Sequence, residues 1–403
     1  MRRRTLAIAC LALSLPLTAP AARAATDRPL KSILGSPATA AAGADILFVA
    51  GGDNRPTGNG APMPRVVKAI FEEIGLIRPD FVIWSGDTVY GYCQTAAELR
   101  QEHDAFQAIA ALGKSPLFNA TGNHEIHREQ TCKEPPADQL CGGACAERQF
   151  VERYGALYGS FDYAGAHFIA LSTDQAGEED DIKGVQLDWL KRDLEANKTA
   201  RAIFLFSHTE FYSSPKIEAE AGRSHPPIAS RDALHALFKQ YPVKGVFSGH
   251  EHLYWRETHD GIDYLILGGA GAPLYASPED GGFSQYLVIQ LRGTQVTYDL
   301  IEPGRLFTEP APGGPDEAKL WVVNSNNSDL PLRGIEVALP STVPCAEAQA
   351  SGTMPRRKDN PPAFPMVDCR DEAGGRKARL QATPFPKRKS VLVTVAKKTT
   401  PGD

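Results

Sequence analysis

Five short stretches of this 403-residue chain end apolar runs in side chains of the kinds that hold metal ions. They are Gly52-Asp53, Gly86-Asp87-Thr88-Val89-Tyr90, Gly122-Asn123-His124-Glu125, Ser207-His208 and Gly249-His250-Glu251-His252. Alone, none says much. An Asp after a strand is ordinarily a turn former, and a buried His is ordinarily a satisfied core residue. Five at equivalent places make a different case. Asp87, after the sharp turn that Gly86 permits, is placed to bridge two ions, with Tyr90 a ligand to one of them. A set of mixed nitrogen and oxygen donors suits Zn(II), Fe(II) or Mn(II).

The elements that must position these residues are legible. Apolar runs at 45–50, 81–84, 116–120, 201–206 and 243–247 read as buried strands leading into the five loops. Between them lie helical patterns: Val66, Val67, Ile70, Phe71 and Ile74 at one spacing, then stretches near 95–112, 186–194 and 232–240. Alternating strands and helices predict an α/β fold, in which ligands bind at the carboxyl ends of the strands. In a parallel sheet all five loops meet on one edge. Strands are expected near 159–163 and 166–172, and strands dominate after residue 252 to about 301, where the later hairpins predict a second sheet packed beside the first. Gly268-Gly269-Ala270-Gly271 reads either as a backbone loop approaching the site or as a plain turn.

Residues 304–315 are dense in Pro and Gly and read as a linker, which ends a main unit of residues 25–303. Beyond it, short apolar or alternating runs predict a small all-β domain over 316–403, with Cys345 and Cys369 the easiest cysteine pair to join. Cys93, Cys132, Cys141 and Cys145 then pair among themselves in one of three ways, or Cys141 and Cys145 belong to a zinc site.

Residues 1–24 have the form of a secretory signal: Arg2 to Arg4, an apolar Leu6–Leu17, then Ala22-Arg23-Ala24. The expectation is an exported protein, periplasmic or secreted, with disulfides and no transmembrane segment in the mature chain. Loss of that segment, with four arginines and no acid, takes the net charge from −5 to −9. Residues 304–403 carry 15 basic and 11 acidic side chains, which leaves −13 on 25–303. A nucleic-acid partner is not expected of so acidic a surface.

In order and spacing the five motifs resemble those of the calcineurin-like metallophosphoesterase superfamily, over roughly residues 45–300. Most members place a His two residues after the first Asp. Arg55 stands there in this chain, and Tyr90 offers a replacement ligand, which resembles the purple acid phosphatase branch. The resemblance implies a metallophosphoesterase-type αββα sandwich followed here by the small C-terminal all-β domain. It implies one metal on Asp53, Asp87, Tyr90 and His252, and a second on Asp87, Asn123, His208 and His250. A tyrosine hydroxyl has a pKa of about 10 and ligates as phenolate only to a strongly polarising ion, so Fe(III) suits the first site and Zn(II), Fe(II) or Mn(II) the second.

The implied activity is hydrolysis of a small phosphorylated substrate, a phosphate monoester, by a metal-bound hydroxide, with His124 protonating the leaving group or steadying the transition state. The same site would serve a phosphodiesterase or nucleotide hydrolase. A protein of another class, binding envelope components without turnover, would use the fold alone, and the partner of the C-terminal domain is unknown. Asn54, Arg55 and His127 are the candidates for substrate contact. Arg55 reads equally as a bidentate phosphate ligand and as a solvated loop charge. A disulfide from Cys93 to the 132–145 insertion would tie that insertion over the pocket.

Overall fold

The computed structural model describes residues 29–126, 132, 136–175, 178–219, 227–355, 360–372 and 375–398. The signal-like segment and His127 lie outside the described residues. In chain order the first half runs β1 (Ile46–Gly51), α1 (Arg65–Ile77), β2 (Phe81–Trp84), α2 (Ala96–Ala110), β3 (Leu117–Asn119), α3 (Asn123–Ile126), α4 (Ala144–Tyr154), β4 (Gly159–Tyr163), β5 (Ala166–Ala170) and α5 (Gly184–Ala196). Next come β6 (Ile203–Phe206), α6 (Pro215–Glu218), α7 (Arg231–Phe238), β7 (Val243–Ser248), β8 (Tyr254–His259), β9 (Ile262–Leu267), β10 (Tyr286–Arg292) and β11 (Gln295–Ile301). The C-terminal strands are β12 (Leu306–Ala311), β13 (Glu317–Asn324), β14 (Leu330–Leu339), β15 (Ala348–Thr353), β16 (Met366–Glu372), β17 (Gly375–Phe385) and β18 (Lys389–Lys397).

Two mixed sheets carry the site. The first has the order β11-β10-β1-β2-β3, with β1, β2 and β3 parallel. The second has the order β4-β5-β6-β7-β9-β8, with β5, β6, β7 and β9 parallel. They face each other across a phenylalanine layer in which Phe48, Phe81 and Phe118 meet Phe168, Phe204, Phe206 and Phe247. The Phe48 ring lies 5.3 Å from that of Phe204 and 5.4 Å from that of Phe168. Burying each such ring stabilises the sandwich by about 1.5–3 kcal/mol relative to leaving it exposed. Helices cover the two outer faces. Val67, Ile70, Phe71 and Ile74 of α1 pack on Leu47, Val49, Val82 and Trp84, and Leu190, Leu194, Leu234 and Phe238 pack on Ile169, Leu205 and Val246. The layering is α/β/β/α, as the resemblance implied.

The expectation of one sheet edge needs correcting. Three of the five loops leave the first sheet, after β1, β2 and β3, and two leave the second, after β6 and β7. The site is therefore built where two parallel edges come together.

The C-terminal strands form two sheets, β12-β13-β18-β15 and β14-β17-β16, joined by the Cys345–Cys369 disulfide. Residues 304–315 are not a free linker, since β12 pairs with β13 along its length. These sheets share a core with α1, through Leu332, Ile335 and Val337. At their start the buried Glu73 of α1 accepts hydrogen bonds from Gly304 N (2.7 Å), Leu306 N (2.9 Å) and Tyr286 Oη (2.8 Å). Burial pushes the Glu73 carboxyl up, and these donors offset part of that rise. Among the described residues no helix is long and apolar enough to cross a membrane.

Candidate metal centre

The loops after β1, β2 and β7 turn sharply, which puts Asp53 (φ 58°), Asp87 (φ 53°) and His250 (φ 69°) in the left-handed region. Non-glycine residues are uncommon there, and such conformations cluster at functional sites. Backbone bonds join the first two loops: Asp53 N donates to Gly86 O, and Asn54 N to Asp87 O, both at 3.1 Å. Glycine is required where the carboxylates are approached most closely. A Cβ on Gly249 would lie 2.0 Å from Asp53 Oδ2, and one on Gly122 would lie 2.3 Å from Asp87 Oδ1.

One half of the centre is a buried cluster of Asp53, Asp87 and His252, whose ligand atoms all lie within 4.8 Å of one another. His252 Nδ1 bonds the Pro273 carbonyl at 2.6 Å, which commits that nitrogen as donor and leaves Nε2, 3.4 Å from Asp53 Oδ1, with its lone pair facing the cluster. The other half gathers Asn123, His208 and His250. Asn123 Oδ1 lies 2.9 Å from His208 Nε2 and 3.1 Å from His250 Nδ1. The Asn123 amide is oriented by its Nδ2, which donates to Tyr92 Oη at 2.6 Å. His208 Nδ1 donates to Ser85 O at 2.8 Å, so its Nε2 also presents a lone pair. Asp87 joins the halves, with Oδ1 3.4 Å from His208 Nε2.

This donor set fits a pair of cations. In the second half the Asn123 oxygen and His208 Nε2 face each other at 2.9 Å with the other His208 nitrogen already donating to Ser85 O, so this contact calls for positive charge, supplied either by a proton on Nε2 or by a bound cation. The titration tendencies agree. Burial pushes the His208 imidazole down, but Asp87 and Asp53 outweigh it and raise the group to about 9. Burial pushes the Asp87 carboxyl well up, with His208 opposing and Asp53 reinforcing the shift. Buried carboxylates this close stabilise positive charge strongly.

On the open side of Asp87 sit His124 and Arg55. His124 Nε2 is 3.8 Å and Arg55 Nε 3.7 Å from the same oxygen, Asp87 Oδ2. His124 Nδ1 bonds the Tyr90 carbonyl, and its backbone N donates to Asp87 Oδ1 at 3.1 Å, so Nε2 is the ring atom turned to the site. Burial, and then the Arg55 charge, holds the His124 imidazole well below its ordinary value. The Tyr92 ring packs 4.1 Å from the His124 ring. Tyr90 stands 5.8 Å from His124, ring to ring, and its backbone N donates to Glu102 Oε2 at 2.7 Å.

Asn54 does not meet substrate as expected. It is fully buried, its Oδ1 accepts the Trp84 indole N–H at 2.7 Å, and its Nδ2 faces Met63 Sδ at 3.4 Å. Two other residues were not anticipated. Glu125 is buried beneath Asp87 and accepts hydrogen bonds from Asp87 N (2.8 Å), Thr88 N (2.6 Å), Thr88 Oγ1 (2.7 Å) and Gly122 N (2.8 Å). Its only signal was its place in the Gly122–Glu125 motif. Tyr275 stacks on His252 at 4.0 Å, in the loop after β9, and no motif marks it.

That loop does approach the site: Ala270 N donates to Gly52 O and Ala272 N to Asp53 O. The disulfides are Cys93–Cys132 and Cys141–Cys145, which removes the zinc reading of the latter pair and ties the insertion to the loop after Tyr90. A cavity of about 1200 Å³ lies elsewhere, between residues 29–40 and Phe118, Arg153 and Tyr163, and none of the candidate ligands of the metal centre lines it.

Residues 58–254 match the calcineurin-like phosphoesterase family, a span that holds every candidate ligand except Asp53. With this site on this fold, that match supports a metallophosphoesterase superfamily assignment, with a likeness to its purple acid phosphatase branch. Among individual proteins it is similar to serine/threonine-protein phosphatase CPPED1 of Danio rerio, 26% identical over 205 residues, covering 49% of this chain and 62% of that protein. It is also similar to purple acid phosphatase 23 of Arabidopsis thaliana, 31% identical over 176 residues, covering 42% of this chain and 34% of that one. Among solved structures, purple acid phosphatase PPD1 from yellow lupin (Lupinus luteus) seeds shares the fold, with a TM-score of 0.52 at 18% identity over 66% of this chain and 53% of that chain. The chain thus spans less than two thirds of the length of these relatives.

Proposed function

We propose that the protein is an exported, metal-dependent phosphoric ester hydrolase acting on phosphate monoesters. The observation that carries this reading is the shared Asp87 carboxylate, with Asp53 and His252 on one side of it and Asn123, His208 and His250 on the other. Asp53, Asp87, Tyr90 and His252 would hold Fe(III), and Asp87, Asn123, His208 and His250 would hold Zn(II), Fe(II) or Mn(II). Bound there, the two ions supply charge neutralisation for phosphoryl oxygens and acidify water.

The chain's own residues do the rest. Arg55 sets its guanidinium beside the open face of Asp87 and steadies a phosphate oxygen. His124, held by its Nδ1 at the Tyr90 carbonyl, turns Nε2 to the leaving oxygen; the negative charge of a bound phosphate would offset the burial and Arg55 effects and favour the imidazolium, which would then give its Nε2 proton to that oxygen. Export is supported by three disulfides, a chemistry of oxidising compartments.

The test is hydrolysis of a monoester and a diester of one chromophore by protein loaded with both metals. Faster turnover of the monoester supports the reading, and preference for the diester makes it a phosphodiesterase. Hydrolysis of neither, with metals bound, points instead to a binding protein on this fold.

A further inference from the structure

Six large apolar side chains are exposed among the described residues, and two of them, Leu274 (41%) and Tyr275 (47%), are neighbours at the rim of the metal centre. Exposed apolar side chains scattered singly need no explanation, but an adjacent pair beside a catalytic cleft is a candidate binding surface. This pair is held in place by the metal loops themselves. Tyr275 N donates to His252 O at 3.1 Å, Pro273 O accepts from His252 Nδ1 at 2.6 Å, and Ala272 N donates to Asp53 O at 2.8 Å. The Tyr275 ring lies over the His252 ring, 4.0 Å away and tilted by 22°, with the Arg55 guanidinium beside its hydroxyl. One face of the ring is therefore covered, and its exposure belongs to the rest of it.

The order of groups around the open face is Tyr90, His124, Arg55, Tyr275. Tyr90 packs near His124, His124 and Arg55 flank the same Asp87 oxygen, and Arg55 lies against Tyr275. A phosphoryl group between Arg55 and the carboxylates would bring its ester substituent within reach of the groups flanking Arg55, among which Tyr275, with Leu274 beside it, is the exposed apolar one. A flat, apolar substituent can lie against a pre-placed ring at little entropic cost, whereas a short alkyl or hydroxylated one gains nothing from it.

We infer that Tyr275, with Leu274, forms a leaving-group shelf that selects phosphate esters of aryl alcohols. This rests on the phosphomonoesterase reading above and names the substrate class for that same site. Tyr275 acts as a specificity residue, and its hydroxyl serves only to meet Arg55.

The experiment compares phenyl phosphate with ethyl phosphate for the wild type, Tyr275→Ala and Tyr275→Phe, with metal content measured for each. Aryl leaving groups are intrinsically better, so the quantity read is the change in the phenyl-to-ethyl ratio of kcat/KM between variant and wild type. Loss of a stacking contact predicts a fall in that ratio of about two- to tenfold in Tyr275→Ala, mainly through KM, and retention of the ratio in Tyr275→Phe. Inhibition constants of phenylphosphonate against methylphosphonate, which are not cleaved, are expected to shift by the same factor. Equal changes on the aryl and alkyl members of both pairs overturn the shelf while leaving the phosphoesterase standing. Absence of hydrolysis of either ester by metal-loaded wild type overturns the phosphoesterase reading, and the shelf with it.

Discussion

Glu125→Gln is the perturbation that most sharply separates a designed scaffold under Asp87 from incidental burial. Glu125 receives four donors, two on each carboxylate oxygen: Thr88 N and Oγ1 on Oε1, Asp87 N and Gly122 N on Oε2. A carboxamide offers one oxygen and one NH₂. Its least costly placement turns the NH₂ toward Thr88, whose hydroxyl can rotate to accept it, but the Thr88 N–H then faces another donor. Leaving one buried donor unmet costs about 1–3 kcal/mol. The two bonds to the remaining oxygen become neutral and lose roughly half their strength, about 1 kcal/mol each.

Burial pushes the Glu125 carboxyl up and its donors pull it back. Removing the charge relieves that burial cost and some repulsion with Asp87. A net loss of about 3 kcal/mol remains. With an unfolding entropy of about 2.1 cal/mol/K per residue, that lowers Tm by about 4 °C for a chain of this size. Glu125 also holds the backbone of Asp87, so affinity for the metals falls by about 10- to 100-fold. Calorimetry in chelator reads the first effect, and metal titration of the stripped protein reads the second. A variant that melts within about a degree of the wild type and binds both ions at wild-type affinity would refute the scaffold argument.

Other expectations follow from the same geometry. His124→Ala should keep both metals and lose about 10²- to 10⁴-fold in kcat for a monoester, checked by steady-state kinetics alongside metal analysis. Glu73→Ala removes the acceptor for Tyr286, Gly304 and Leu306, and should lower stability by about 2–4 kcal/mol and speed proteolytic cleavage near residue 304. His167 is buried between Asp162 (2.7 Å) and Asp193 (2.8 Å); burial pulls its pKa down, but the two hydrogen bonds prevail and the net shift is upward. A raised pKa in the folded state stabilises fully below the unfolded value and is lost as pH rises through the folded one. His167→Gln should therefore destabilise more at pH about 5.5 than at about 8.5, as read by urea denaturation at both.

Much of the site was legible because its donors stand at the ends of apolar runs, where strand ends present ligands. Asp87, Asn123, His208 and His250 needed only local spacing to be seen. That they come from two sheets was not legible, because the pairing that completes the first sheet joins Ile46 to Leu291, far apart in the chain. Asn54 was misread because nothing local reveals that the Trp84 indole needs a buried acceptor. The supposed linker was misread because its prolines suggest a loop, yet Pro310 lies in β12, an edge strand, where a missing N–H donor is tolerated. Tyr275 was invisible because its place depends on a backbone bond to His252 and a ring stack across separate loops.

Metal analysis of the purified protein, taken with its visible spectrum, reads out a two-ion centre on Asp53, Asp87, Tyr90, Asn123, His208, His250 and His252. Two ions per chain are expected, with a broad phenolate-to-Fe(III) band that disappears in Tyr90→Phe. Two divalent ions in a colourless protein would remove Tyr90 and Fe(III) from the centre. No bound metal after reconstitution would contradict the centre itself.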